Sequence, residues 1–227
     1  LQERGQLLIS DPISKYIPEF KNSTVAVKNE DDSYDVVPAN REITIRDLLT
    51  HTAGIGYGYG VAADKWEEAD LQGWYFAHRD EAVLETIKRI AVLPNDAQPG
   101  SQFVYGYNTD ILGALVNVVS GQSLAEFLSE HILDPLGMND TYFYLPKNKA
   151  KRLATVYNMV DQKLERAPKE GTMQSQGHYV KGPRKNYSGG VLSPIVDEPH
   201  GHRCDKRVRR SMECLEQECL FLCLRQQ

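Results

Sequence analysis

The chain has 227 residues, 41% hydrophobic and 25% charged, an ordinary globular composition with enough apolar residues for a real core. Its formal net charge of −5, spread over both signs, gives no electrostatic reason to expect a nucleic-acid partner. No apolar run approaches the roughly 20 residues that a membrane-spanning helix needs, and the first residues lack the charged start, apolar stretch and small-residue cleavage site of a signal peptide.

In chain order, LQERG at residues 1–5 reads as the last turn of a helix closed by Gly5 in the left-handed conformation. The segment through Phe20 carries Pro12 and Pro18 among apolar residues and reads as an extended connector packed on a core. Residues 21–42 are polar and suit a surface loop or short hairpin. Thr44 followed by Asp47 is a capping signature for a short helix through Leu48 and Leu49, which stops at the glycine-rich HTAGIGYGYG. Asp80 is a candidate cap for a second helix, where Val83, Leu84, Ile87, Ile90 and Ala91 recur at helical spacing before Pro94.

A third helix is expected from Asn108 or Thr109, burying Ile111, Leu112, Leu115, Val116 and Val119 and closing at Gly121. The fourth has a capping box, Ser123 with Glu126, and runs through Ile132 to a stop at Pro135. Beyond Pro146, LATVYNMVDQKLERA alternates as a hairpin would, and residues 167–188 are polar and glycine-punctuated, as in a long loop. From Val191 the character changes to a basic cluster, Arg203 to Arg210, followed by cysteines. All four cysteines, Cys204, Cys214, Cys219 and Cys223, lie in this last stretch and form no C-x-x-C pair, so they read as stray thiols rather than a zinc site.

The segment with most chemical content is PGSQFVYGYNTDILG at residues 99–113, which sets Tyr105 in a turn just ahead of the third helix. Together with ITIRDLLTHTAGIGYG at 43–58 and SLAEFLSEHILDPLGMNDTYF at 123–143, it resembles the serine β-lactamase and penicillin-binding protein family, nearest its β-lactamase-like carboxylesterases. The resemblance covers about residues 1–190 and leaves 191–227 as an atypical basic, cysteine-containing tail. It implies an α+β, β-lactamase/transpeptidase-like fold, present here as mainly its helical portion with little of the antiparallel sheet.

The resemblance also implies chemistry. In that family a serine attacks an ester or amide carbonyl, lysine and tyrosine move the proton, backbone amides hold the oxyanion, and water releases the acid. It assigns the catalytic tyrosine to Tyr105 and sets Tyr107 and Asn108 beside the substrate. The β-lactamase form of the motif is Y-x-N, whereas Tyr107 takes the second place after Tyr105 here, a departure that favours the esterase branch. Asn108 reads first as a cap for the helix that follows. The implied substrate is a small-molecule ester or amide, with no metal or other cofactor and an open oligomeric state.

The family's nucleophile lies in S-x-x-K, and no serine among these 227 residues is followed three positions later by lysine. The resemblance implies that this serine falls a few turns upstream of Leu1, and that the K-T-G-type segment is also missing. After the Ser-Gly-Gly at 188–190 the family continues with a helix and further strands, which the residues that follow here do not resemble; a shifted reading frame and a genuine alternative tail both fit. The chain therefore reads as a serine hydrolase by descent without turnover of its own, or as a non-enzymatic module that keeps a pocket for acyl or peptide-like ligands. His51, between a two-turn helix and a glycine-rich bend, reads as a structural imidazole. The G-Y-G-Y-G run at 56–60 lacks the flanking strand and helix of a nucleotide site and reads as a pocket rim.

Overall fold

The computed structural model describes residues 1–73, 81–142, 146–152, 155–169 and 193–194. Among these the chain divides into two compact units, Leu1–Phe127 and the residues from Leu128 onward. The first unit opens with 3-10 turns at Gln2–Arg4, Ile13–Lys15 and Pro18–Asn22. Gly5 has the expected left-handed backbone, φ 68°. The expected extended connector is instead wound into 3-10 turns, because that places Ile13, Ile17 and Phe20 on one inward side, each at most 1% exposed.

The polar stretch that follows is the antiparallel hairpin β1 (Thr24–Lys28) and β2 (Tyr34–Pro38). Helices α1 (Ile45–Leu49), α2 (Ala63–Glu68), α3 (Val83–Ala91) and α4 (Asn108–Ser120) complete the core. α4 packs against both α1 and α3. Ile111, Ala114 and Leu115 on its inner face join Leu48, Ile55, Ile87 and Ile90 in one apolar cluster. The N-cap of α3 is Ala82, which makes no side-chain cap; Asp80 lies outside the described residues. α4 closes at Gly121, φ 73°, as its sequence requires. α5 (Leu124–Leu128) has the expected box, Ser123 Oγ accepting from the Glu126 N–H at 3.2 Å while the Glu126 carboxylate accepts from the Ser123 N–H at 2.9 Å.

The second unit begins with a π-helical turn, Ser129–Leu133, ahead of Pro135. β3 (Thr141–Tyr142) pairs antiparallel with β6 (Ser193–Pro194). β4 (Tyr157–Val160) and β5 (Lys163–Arg166) form the expected hairpin. Its two-residue turn, Asp161 and Gln162, has positive φ at both positions, the twist that matches the strands. Arg152 grips the Asp140 carboxylate with both guanidinium nitrogens and Lys149 adds a third contact at 2.8 Å, which together hold that carboxyl below its usual range. The tail with its cysteines and basic cluster lies outside the described residues apart from β6.

α1 is anchored by an ion pair as well as its cap. Asp47, 5% exposed, accepts from both Arg41 guanidinium nitrogens at 2.7 and 2.9 Å and from the Thr44 N–H at 2.8 Å. Burial opposes the charge, yet Arg41 and Thr44 prevail and hold the Asp47 carboxyl down at about 2. A depressed folded-state value contributes stability that is present above the unfolded value near 4 and is lost as pH falls from about 4 to about 2. Asp47→Asn should therefore cost on the order of 2 kcal/mol at neutral pH and flatten the acid limb of the stability curve in this window, read by urea unfolding at a series of pH values. A variant as stable as the parent at pH 7 would contradict the assignment.

Candidate active site

The site grows from two chain segments that lie side by side. The first leaves α1 at Thr50, turns through His51 at φ 53°, and continues as the glycine-rich bend. Histidine is one of the side chains that tolerates this left-handed backbone. The second runs from Asn95 into the start of α4. Backbone bonds join them at three points: Asp96 N–H to Gly54 O at 2.8 Å, Gly100 N–H to Thr52 O at 2.7 Å, and Val104 N–H to His51 O at 2.8 Å. Gly106 lets the second segment lie flat on the first, since a Cβ there would meet the Ile55 carbonyl oxygen and stand 2.5 Å from Gly56 backbone atoms.

Asn108 ties the segments through its side chain. The residue is wholly buried in the first turn of α4, whose N-cap is Tyr107, so the capping reading is corrected. Its Nδ2 lies 3.0 Å from His51 Nδ1, 3.2 Å from Ile55 O and 3.3 Å from Val104 O. Its amide hydrogens serve these three acceptors, and its backbone already takes the first helical position, one past the N-cap.

The aromatic rings then form a continuous series. Tyr105, 49% exposed, stacks on His51 with ring centroids 4.9 Å apart and planes 29° apart. Tyr57 meets Tyr105 edge-on at 5.7 Å and Tyr107 edge-on at 4.9 Å, and Tyr107 lies parallel to Trp66 at 6.1 Å. Phe103, 66% exposed, also meets His51, its ring tilted, at 5.6 Å. Tyr107 is at 0% exposure with its hydroxyl donating to Leu71 O at 3.3 Å, so its side chain is core and offers no surface to a bound molecule here. Tyr105 is the tyrosine of the motif whose side chain reaches solvent.

Electrostatics set the state of Tyr57. Burial first, and then Tyr105 and the Asp110 carboxylate, push the Tyr57 hydroxyl well above the usual tyrosine range. Tyr57 thus stays protonated and can only share its hydrogen. Asp96, whose carboxyl is raised by burial, sits against the backbone of Gly56 and Gly60 and braces the rim from behind. Among the described residues no cluster of three or more His, Cys, Asp or Glu side chains is arranged to hold a metal ion. No single helix among them is long and apolar enough to cross a membrane.

Residues 1–198 match the model of the family described as Beta-lactamase. The chain belongs to the beta-lactamase family. It is 33% identical over 162 residues to Protein Rv1367c of Mycobacterium tuberculosis, covering 71% of this chain and 39% of that one. Esterase EstB of Burkholderia gladioli is 34% identical over 147 residues, 63% of this chain and 34% of the esterase. Lovastatin esterase of Penicillium rubens is 31% identical over 144 residues, 63% and 35%. Among solved structures, EstCE1, a hydrolase with promiscuous acyltransferase activity, superposes with a TM-score of 0.65 at 23% identity, over 85% of this chain and 50% of its own. Simvastatin synthase from Aspergillus terreus gives 0.64 at 24% identity, over 86% and 46%. The chain thus spans between about a third and two fifths of these curated relatives, and the fold is the α+β, β-lactamase/transpeptidase-like one, with its helical portion prominent and its strands short.

Sequence reasoning singled out Tyr105, Tyr107, Asn108 and His51, and the fold gathers all four. It missed Tyr57 and Phe103. Phe103 was legible in principle, because in an extended stretch residues two apart share a side, and it stands two before Tyr105. Tyr57 lies in the G-Y-G-Y-G run that reads as a pocket rim, where nothing local distinguishes its tyrosines from each other. A Gly106→Ala substitution should destabilise by about 1–3 kcal/mol through forced separation of the two segments, measured by urea unfolding. A change under about 0.5 kcal/mol would mean that the close approach is not required.

Proposed function

We propose that this chain carries the proton-transfer side of an acyl-transfer site acting on small-molecule esters, with Tyr105 as the group that exchanges the proton. Membership of the serine hydrolase family with esterase and β-lactamase relatives is given by the comparisons. The observation that carries the finer reading is the half-exposed Tyr105 side chain standing on a frame of His51, Asn108 and Gly106. Positioned proton transfer of this kind contributes about 10²–10⁴-fold to rate. Tyr57, kept protonated by burial, supports it as a hydrogen-bond partner for a developing phenolate. In this reading Tyr107 and Asn108 contribute to substrate binding indirectly, by setting the floor and the backbone of the pocket wall.

Acyl-enzyme chemistry needs a nucleophile, and no serine here has a lysine three residues on. The 227 residues by themselves are therefore proposed to turn over no ester. A second reading, reversible binding of an acyl or peptide-like ligand, is supported by the exposed rings of Phe103 and Tyr105, which offer an apolar wall without needing a nucleophile.

A fluorophosphonate probe and a nitrophenyl ester separate the possibilities. The expected result is no covalent label on any serine of the chain and no hydrolysis above background, whereas turnover abolished by replacing one serine within residues 1–227 would sink the proposal of inactivity. In a longer form supplying S-x-x-K and the remaining strands, Tyr105→Phe should lower turnover by about 10²-fold or more with little loss of stability. Unchanged turnover in that variant would remove Tyr105 from the chemistry.

A further inference from the structure

A half-exposed phenol keeps a fixed direction only if something rigid backs its ring. Tyr105 projects from an irregular turn with no helix or strand of its own, and its ring rests on His51 at 4.9 Å with Tyr57 at its edge. His51 is 2% exposed and is fixed twice over. Its main chain is held in the left-handed region with its carbonyl accepting from the Val104 N–H at 2.8 Å, one residue from Tyr105. Its ring is held by Asn108, with 3.0 Å between Nδ1 and Nδ2.

The orientation of the Asn108 amide decides the form of that imidazole. Two carbonyl oxygens, of Ile55 and Val104, face the same end of the amide at 3.2 and 3.3 Å. Turned around, the amide would set oxygen against oxygen at both, so the nitrogen faces this cluster and donates. His51 Nδ1 is then the acceptor, and the ring proton sits on Nε2. One asparagine thereby fixes the height, the angle and the tautomer of the plate under the phenol.

The geometry points to His51 as the positioning residue of the Tyr105 phenol, locked in its Nε2–H form by Asn108. This rests on the reading of Tyr105 as the proton-transfer group and adds what aims it. A ring at position 51 is what the role demands, but the left-handed backbone there is poorly tolerated by bulky residues without a polar side chain, and histidine meets both conditions. Asparagine tolerates the same backbone and lacks the ring, which makes His51→Asn the informative change.

The test is NMR on the full 227-residue chain with ring-labelled tyrosine and nitrogen-labelled histidine, the Tyr105 signal being assigned by its disappearance in Tyr105→Phe. Stacking on the imidazole should displace the Tyr105 ring-proton signals upfield of those of the exposed Tyr59. That displacement should vanish in His51→Asn while the Tyr59 signals stay in place. The His51 nitrogens should report a proton on Nε2 in the parent and a mixture of tautomers in Asn108→Ala. Tyr105 signals unmoved in folded His51→Asn, or a parent proton on Nδ1, would overturn the proposal.

Should His51→Asn or Asn108→Ala fail to fold, Tyr105→Leu changes only a half-exposed side chain. It should shift the His51 ring signals, and Tyr59→Leu should not; equal or absent shifts overturn the proposal as well. None of these readings uses turnover. A seated Tyr105 whose loss does not affect ester hydrolysis in the longer form would discard the proton-transfer reading and leave the seat standing.

Discussion

A primary amide nitrogen has two hydrogens, and three acceptors surround that of Asn108. Because the residue is wholly buried, water cannot make up the difference, so His51 Nδ1, Ile55 O and Val104 O are all drawn to one point. The first two belong to the segment leaving α1, and the last belongs to the segment entering α4. One side chain therefore closes the gap between the elements that flank the site, and the backbone bonds at Gly54, Thr52 and His51 continue the closure along the chain. Its Oδ1 is buried without a partner among the described residues, a cost of about 1–3 kcal/mol that the three contacts of Nδ2 must exceed.

From that join the site acquires its grading from dry to wet. Trp66 and Tyr107 are buried, with the Trp66 indole N–H satisfied by Pro94 O at 3.0 Å and the Tyr107 hydroxyl by Leu71 O. Tyr57 stands between, its hydroxyl held protonated. Tyr105 and Phe103 reach solvent. The series lets a polar hydroxyl stand at the surface on a support that is itself part of the core, so aiming the phenol and stabilising the first unit are the same packing problem. Side chains held by packing and by further hydrogen bonds are the ones that keep reactive groups in place.

Much of this was legible in the sequence where the signal is local. The capping pairs Thr44 with Asp47 and Ser123 with Glu126, the end of α4 at Gly121 and the β4–β5 hairpin all depend on residues within a few positions of each other. The motif around Tyr105 nominated the candidate site for the same reason. The remaining features depend on residues brought together from afar: Asn108 turns its side-chain amide to partners 53 and 57 positions away, and Tyr107 became core because Trp66 and Leu71 enclose it. The 3-10 turns at Ile13–Lys15 and Pro18–Asn22 replaced an extended reading because burial of Ile13, Ile17 and Phe20 is a demand of the core that prolines alone do not announce. Position 105 is thus readable as a candidate, while the support beneath it is tertiary.

The most direct measurement is the order in which native tyrosines are acetylated on oxygen by N-acetylimidazole, read peptide by peptide by mass spectrometry on the full chain. If Tyr105 is presented on a closed frame, it reacts alongside the exposed Tyr59, while Tyr57 lags and Tyr107 is spared until the protein is unfolded. Acetylation of Tyr107 in the native protein as readily as Tyr105, or protection of Tyr105 to the level of Tyr107, would contradict the account.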